Sequence, residues 1–219
     1  MCGRFVITSP PDAMRRLFRY GEQPNFPARY NIAPTQPVGV VRLSERARQF
    51  VLMRWGFLPG FVRDPKTFPL IINARAEGIA EKPSFRAAIR RRRCLLPADG
   101  FYEWRREARA KEPFLIRRPD RGPIAFAGLW ETWSSADGSE VDTACIITCG
   151  PNGTMAAVHD RMPVILSSRD FDCWLDPDST GPDVLSLLRP APDEALELVP
   201  VSDRVNKVAN DDADVQASV

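Results

Sequence analysis

Long apolar runs, clustered cysteines and histidines are scarce in this chain of 219 residues, and each shortage closes off a class of protein. No stretch reaches the about 18 consecutive apolar residues that a membrane-spanning helix needs. Arg4 interrupts MCGRFVITSP where a signal peptide would carry its apolar segment, so a cytoplasmic protein with no membrane partner is expected. The five cysteines, at positions 2, 94, 145, 149 and 173, are odd in number and share no short repeated spacing. A disulfide framework and a Cys-x-x-Cys zinc site are both disfavoured, and one histidine cannot complete a Cys/His cluster. Free thiols in a reducing compartment are expected, with no metal and no cofactor. Cys94, Cys145, Cys149 and Cys173 read as small core residues. There is no repeat period and no Gly/Ser linker, which points to one domain.

The bulk composition is ordinary and the placement of charge is not. Hydrophobic residues make up 44% of the chain and charged residues 26%. That supports a proper core and excludes wholesale disorder, coiled coil and collagen-like structure. The net charge of +2 hides an asymmetry: residues 1–120 hold 24 Lys+Arg and 11 Asp+Glu, a net of +13, whereas 121–219 hold 6 and 17, a net of −11. Either the first half binds a polyanion, or the halves fold together and their charges pair across the surface. The run Arg90 to Arg93 reads as the solvated end of a helix.

Short strand-like runs recur at 3–8, 37–43, 49–55, 69–74, 93–98, 100–106, 113–118, 123–133, 143–149, 161–166 and 195–201. Helices are fewer: one opened by Pro10-Pro11 and closed by Gly21, then 84–92, 168–175 and 182–188. Many strands with few intervening helices predict a mainly antiparallel α+β fold and not a doubly wound array. The acidic, unpatterned segment 209–219 is expected to fray behind a domain spanning 1–208.

Four local strings carry chemistry. In Met1-Cys2-Gly3-Arg4 the small side chain at position 2 predicts removal of Met1, which makes Cys2 a 1,2-aminothiol. Its α-amine has a reference pKa of about 7.7–8.0, against about 10.4 for lysine, and its thiol one near 8.5. Such a pair reacts distinctively with an aldehyde: the amine forms an imine, and the thiol closes on the imine carbon to give a thiazolidine. The alternative is that Cys2 merely follows the start residue. In Ile72-Asn73-Ala74-Arg75-Ala76-Glu77, Asn73 is either a turn former ending a strand or an amide aimed into a pocket. In Gly100-Phe101-Tyr102-Glu103-Trp104, strand register puts Phe101 and Glu103 on one face. A carboxylate beside an aromatic there suits proton shuttling, or else Glu103 is an edge residue in water. In Val158-His159-Asp160-Arg161-Met162-Pro163, the sole imidazole of the chain precedes a strand, as a proton-transfer group or as a structural histidine.

The strings MCGRF, NARAE, GFYEW and HDRMPVIL, in this order and at these separations, resemble the SRAP family of SOS-response-associated peptidase-like proteins, which shield abasic sites in single-stranded DNA. RYNIAPTQ (29–36), MRWGFLP (53–59), KPSFR (82–86) and GLWETW (128–133) resemble it too, so the likeness covers nearly the whole chain. The resemblance implies a barrel-like core and capture of the ring-opened abasic sugar by the N-terminal cysteine as a covalent thiazolidine crosslink. It implies that Cys2 is the nucleophile, that Asn73 hydrogen-bonds the deoxyribose remnant, and that Glu103 orients it and moves protons. His159 would act as acid/base in opening the hemiacetal. Arg4, Arg75 and Arg161 would contact phosphates beside the lesion, and Trp55, with Phe57 and Pro34, would wedge or stack against bases. The implied partner is single-stranded or junction DNA bearing an abasic site. Two other readings remain at this stage: a thiol peptidase acting on its own leader or on other proteins, and a non-covalent single-stranded DNA-binding module.

Overall fold

Apolar residues at consecutive positions near the start of the chain form β1 (Arg4–Ile7), whose Phe5, Val6 and Ile7 are all buried. This is a computed structural model, and it describes residues 2–22, 25–107 and 110–219, with backbone alone at 106, 107 and 110. After β1 come α1 (Pro11–Phe18), β2 (Arg29–Ile32), β3 (Pro37–Ser44), β4 (Ala47–Trp55) and β5 (Asn73–Arg75). Next are α2 (Ala88–Arg91), β6 (Arg93–Ala98), β7 (Gly100–Glu107), β8 (Ala110–Arg117), β9 (Ile124–Ser134) and β10 (Glu140–Cys149). The chain continues through α3 (Gly153–Ala156), β11 (Met162–Pro163), α4 (Phe171–Leu175), α5 (Gly181–Ser186) and β12 (Glu197–Pro200).

The expected α+β architecture holds, as two sheets. One has the order β12-β8-β7-β1-β2 with antiparallel neighbours. In the other, β4, β3, β6, β9 and β10 close into a ring, because β10 pairs antiparallel with β9 on one edge and parallel with β4 on the other. The parallel pairings of β10 with β4 and β5 are not legible in hydrophobic alternation, which encodes faces and not directions. Closure brings backbones close at Gly128, where a Cβ would stand 2.9 Å from the Cys145 carbonyl oxygen, so a side chain does not fit there.

Strand β1 is buried on both faces. Toward the ring, Phe5 meets Trp55 at 5.1 Å and Phe126 at 5.9 Å, edge to face. On the other side Val6 joins a separate cluster with Tyr102, Leu115, Val201, Val205 and Val215. Its end is held by Asp99 in the β6–β7 turn, whose carboxylate accepts from the Thr8 and Ser9 amides at 2.5 and 2.7 Å and from the Ser9 hydroxyl at 2.5 Å.

Several expectations are corrected. Residues 209–219, expected to fray, are packed in the structure: Val215 is fully buried, Val201 bridges Ser218, and Asp211 Oδ1 accepts from the Tyr30 and Asn31 amides at 2.5 and 2.9 Å. The segment covers apolar surface on β1, β7 and β8, so it has a packing partner that composition does not reveal. The helix at 84–92 is only the four residues of α2, and the strand at 161–166 only the two of β11. Arg19, in left-handed conformation, caps α1 ahead of Gly21. Arg93 is no solvated helix end: it is buried and donates to the carbonyls of Ile89, Arg90, Trp174 and Asp176. All five cysteines are free; Cys94, Cys145 and Cys149 are buried as expected, while Cys173 is half-buried.

Part of the charge asymmetry is taken up by pairing between the halves, five pairs in its sense and one, Glu77–Arg161, against it. Arg29–Asp211, Arg42–Asp142, Arg48–Asp172, Arg92–Glu131, Arg117–Glu197 and Glu77–Arg161 all join residues from opposite sides of position 120.

Replacing Asp211 with alanine removes the acceptor of two amides and the partner of Arg29. We expect Asp211→Ala to lower stability by about 2 kcal/mol and Tm by roughly 4–8 °C in thermal unfolding, with the native fold retained.

Candidate active site

Cys2 and Asn73 are 71 positions apart and meet because β1 and β5 lie on either side of Trp55. The Asn73 Nδ2 group donates to the Cys2 carbonyl at 2.8 Å. Trp55 is fully buried, packs on Phe5 and donates its indole N–H to the Ile72 carbonyl at 3.0 Å, fixing the backbone next to Asn73. Asn73 Oδ1 is buried and has no hydrogen-bond partner among the described residues. A buried acceptor left without a donor costs about 1–3 kcal/mol, so this oxygen is poised to accept from something that enters the site.

The Cys2 thiol is fully buried and sits 3.8 Å from the Arg4 carbonyl oxygen, a long S–H···O contact. Burial above all, and then the nearby Glu103 carboxylate, push this thiol well above its ordinary value. Glu103 reaches it through register: Arg4 pairs with Tyr102 across β1 and β7, and one further step sets residue 3 opposite residue 103. Glu103 is buried, with 5% exposure.

His159 completes the group, its Nε2 lying 4.0 Å from Glu103 Oε1. Two contacts compete at its Nδ1: the Arg161 amide at 3.0 Å and Asp160 Oδ1 at 2.8 Å. An amide N–H can only donate, so that contact requires a bare Nδ1 and places the ring proton on Nε2, toward Glu103. The Asp160 side chain is 87% exposed and free to turn to water, so the backbone contact sets the neutral tautomer, and Asp160 suits the protonated ring. Among the described residues no three His, Cys, Asp or Glu side chains converge as a metal site requires.

Sequence comparison gives this constellation a lineage. A profile of the SOS response associated peptidase (SRAP) family matches residues 1–208. The chain belongs to the SRAP family. Among its relatives, abasic site processing protein YoqW of Bacillus subtilis is 39% identical over 215 residues, covering 96% of each chain. Abasic site processing protein YedK of Escherichia coli is 30% identical and covers 98% of each. A crystal structure of a Bacteroides thetaiotaomicron protein superposes with a TM-score of 0.89 at 26% identity, covering 100% of both chains.

The residues that the SRAP resemblance assigned to DNA fare unequally. Arg75 is exposed and has no carboxylate within 4.0 Å among the described residues. Arg161 is held by Glu77, with its two terminal nitrogens 2.7 and 2.9 Å from the carboxylate oxygens, and by the Thr148 carbonyl at 2.7 Å. Arg4 turns toward the C-terminal segment, donating to Asn31 Oδ1 at 2.9 Å and to the Val205 carbonyl at 2.7 Å. Trp55 and Phe57 are corrected from base-facing to core residues, since Phe57 is also buried, against Phe85 at 5.7 Å. Both lie in an apolar stretch that the barrel covers. Pro34 is half-buried in the turn before β3.

Sequence reasoning passed over three contributors. Asn31, fully buried, gives its amide to the carbonyls of Val205, Lys207 and Asn210, and a lone Asn inside RYNI was the available signal. Asp99 anchors β1 from the turn of PADG. Phe61 stands 60% exposed in a Pro/Gly-bounded loop, edge-on to Phe68, and an aromatic amid turn residues and charges is a readable mark.

Glu77 offers a pH test. Its hydrogen bond to Arg161 holds its carboxyl below the ordinary range. A depressed folded value means that the pair stabilises above the unfolded value of about 4.3 and that this is lost as pH falls through the folded one. The stability gap between wild type and Glu77→Gln in urea unfolding is expected to be under about 1 kcal/mol at pH 7, because Glu77 is largely exposed, and to close below about pH 4.

Proposed function

We propose that this protein processes abasic sites in DNA by capturing the sugar aldehyde on residue 2 as a covalent thiazolidine. The observation that best supports the reading is the convergence of Asn73 on the Cys2 carbonyl with Glu103 and His159 alongside. Excision of Met1 converts the Cys2 nitrogen from an amide to an amine. His159, with its proton on Nε2, donates toward the sugar ring oxygen as the hemiacetal opens. The amine then adds to C1′, water leaves, and an imine remains.

The buried thiol sets the order of events. Held protonated by its surroundings, it is a poor first nucleophile, so nitrogen attacks first. Sulfur then adds to the imine carbon, its proton passing by way of Glu103 to the nitrogen. Aldehyde plus aminothiol thus yields thiazolidine plus water. Asn73 Oδ1 accepts from a sugar hydroxyl or the attacking amine. The preferred partner is single-stranded or junction DNA in the cytoplasm. In this scheme Arg75 meets phosphate directly, Arg161 exchanges Glu77 for phosphate, and Arg4 stays with the C-terminal segment. Stacking passes from Trp55 to the exposed Phe61, whose loop also carries Arg63 and Lys66 and returns to Asn73. A thiol peptidase would need the sulfur on an imidazole, whereas the contact of Cys2 Sγ is with the Arg4 carbonyl.

Processed protein incubated with a single-stranded oligonucleotide bearing one abasic site should give a shifted band that survives boiling in detergent. Cys2→Ala should abolish the band, and its absence with wild type would overturn the proposal. His159→Ala is expected to slow crosslinking by roughly 10²-fold while affinity for intact DNA stays unchanged; equal loss of both would make His159 structural. For Phe61→Ala we expect single-strand affinity to fall by about 1–3 kcal/mol in anisotropy titrations, with the melting temperature preserved.

A further inference from the structure

A cavity on another side of the fold is lined by none of the four groups above. It encloses about 740 Å³ between the start of β9, the 165–171 segment and the 187–196 segment that leads from α5 to β12, a size typical of sites that hold a ligand. Its floor is aliphatic, built from Leu17, Ile124, Ile165, Leu166 and Leu196. Three guanidinium groups, those of Arg118, Arg169 and Arg189, stand around it against one lining carboxylate, Asp170. Arg118 is taken by Asp120 in a two-point pair. Arg169 has only the long 3.9 Å contact with Asp170, and Arg189 has no carboxylate within 4.0 Å among the described residues.

We propose that this groove binds an acidic peptide segment of a partner protein, with an apolar side chain on the aliphatic floor and carboxylates on Arg169 and Arg189. The charge is complementary, and planar guanidinium groups match carboxylates in a two-point geometry that also fixes orientation. An apolar anchor in a desolvated pocket ringed by charge is the usual source of peptide affinity. A nucleic-acid strand fits less well. The one aromatic lining residue, Phe171, is 2% exposed and stacked on Phe18 at 5.4 Å and 9°, so it offers no face to a base. Because the cavity is separate from Cys2, such binding would bring the protein to a partner without occupying the crosslinking site.

The test is an anisotropy titration of the full chain with a short fluorescein-labelled peptide carrying an Asp-Asp-Asp run followed by Leu-Phe. Saturable binding is expected, weakened at least about tenfold by the double change Arg169→Glu and Arg189→Glu. Both arginines are exposed, and an unchanged circular dichroism spectrum and Tm verify that the variant is folded. Cys2→Ala should bind the peptide like wild type. Replacing the aspartates by lysine, or Leu-Phe by Ser-Ser, should abolish binding. Absence of saturable binding to wild type, equal binding by the double variant, or retention of either altered peptide would overturn the proposal. Displacement of the peptide by an undamaged single-stranded oligonucleotide would overturn it too, assigning the groove to nucleic acid.

Discussion

The edge-to-face contact between Phe5 and Trp55 is the interaction on which the site's geometry depends. Phe5 lies on the strand that begins just after Cys2, and Trp55 holds the Ile72 carbonyl next to Asn73. Aromatic pairs of this kind contribute about 0.5–1.5 kcal/mol beyond the area they bury. Here the pair also transmits position, because each ring is fixed by a different sheet. Strand β1 thereby becomes a rigid mount, pressed from one side by the ring of strands and from the other by the C-terminal segment.

The second constraint is electrostatic. A strongly basic first half and an acidic second half would suit a polyelectrolyte binder, yet part of the contrast serves assembly. Arginines from the first half reach aspartates and glutamates of the second across the fold, while Arg4 and Arg93 serve as multi-carbonyl clamps. At the candidate site itself the cations are an exposed Arg75, two residues from Asn73, and Arg161, paired with Glu77.

Burial of the thiol follows from the same mount. Cys2 stands three residues before the buried Phe5, its side chain is fully buried, and a desolvated thiol resists ionisation. The proposed order, with nitrogen attacking first, tolerates this, because there the sulfur is needed only once the imine carbon has been brought beside it. In the proposed scheme proton traffic falls to Glu103 and His159, whose positions follow from the β1–β7 register and from the Arg161 amide contact that selects the imidazole tautomer.

Much of the candidate site was legible before any coordinates. The strings around Cys2, Asn73, Glu103 and His159 carry their chemistry in residue type and local spacing, and short alternating runs separated by turn residues identify an antiparallel α+β fold. Strand direction was not legible, as the parallel seams of β10 show, because alternation is the same for either direction. Exposure was not legible either. Trp55 and Phe57 look like base-stacking residues in MRWGFLP and are core, whereas Phe61, two residues beyond that string, stands in solvent. Asp211 looks like part of a loose acidic tail and is a cap on β2. In each case the identity of the side chain is local information, while its accessibility depends on which distant segment packs over it, and only the folded chain brings that segment there.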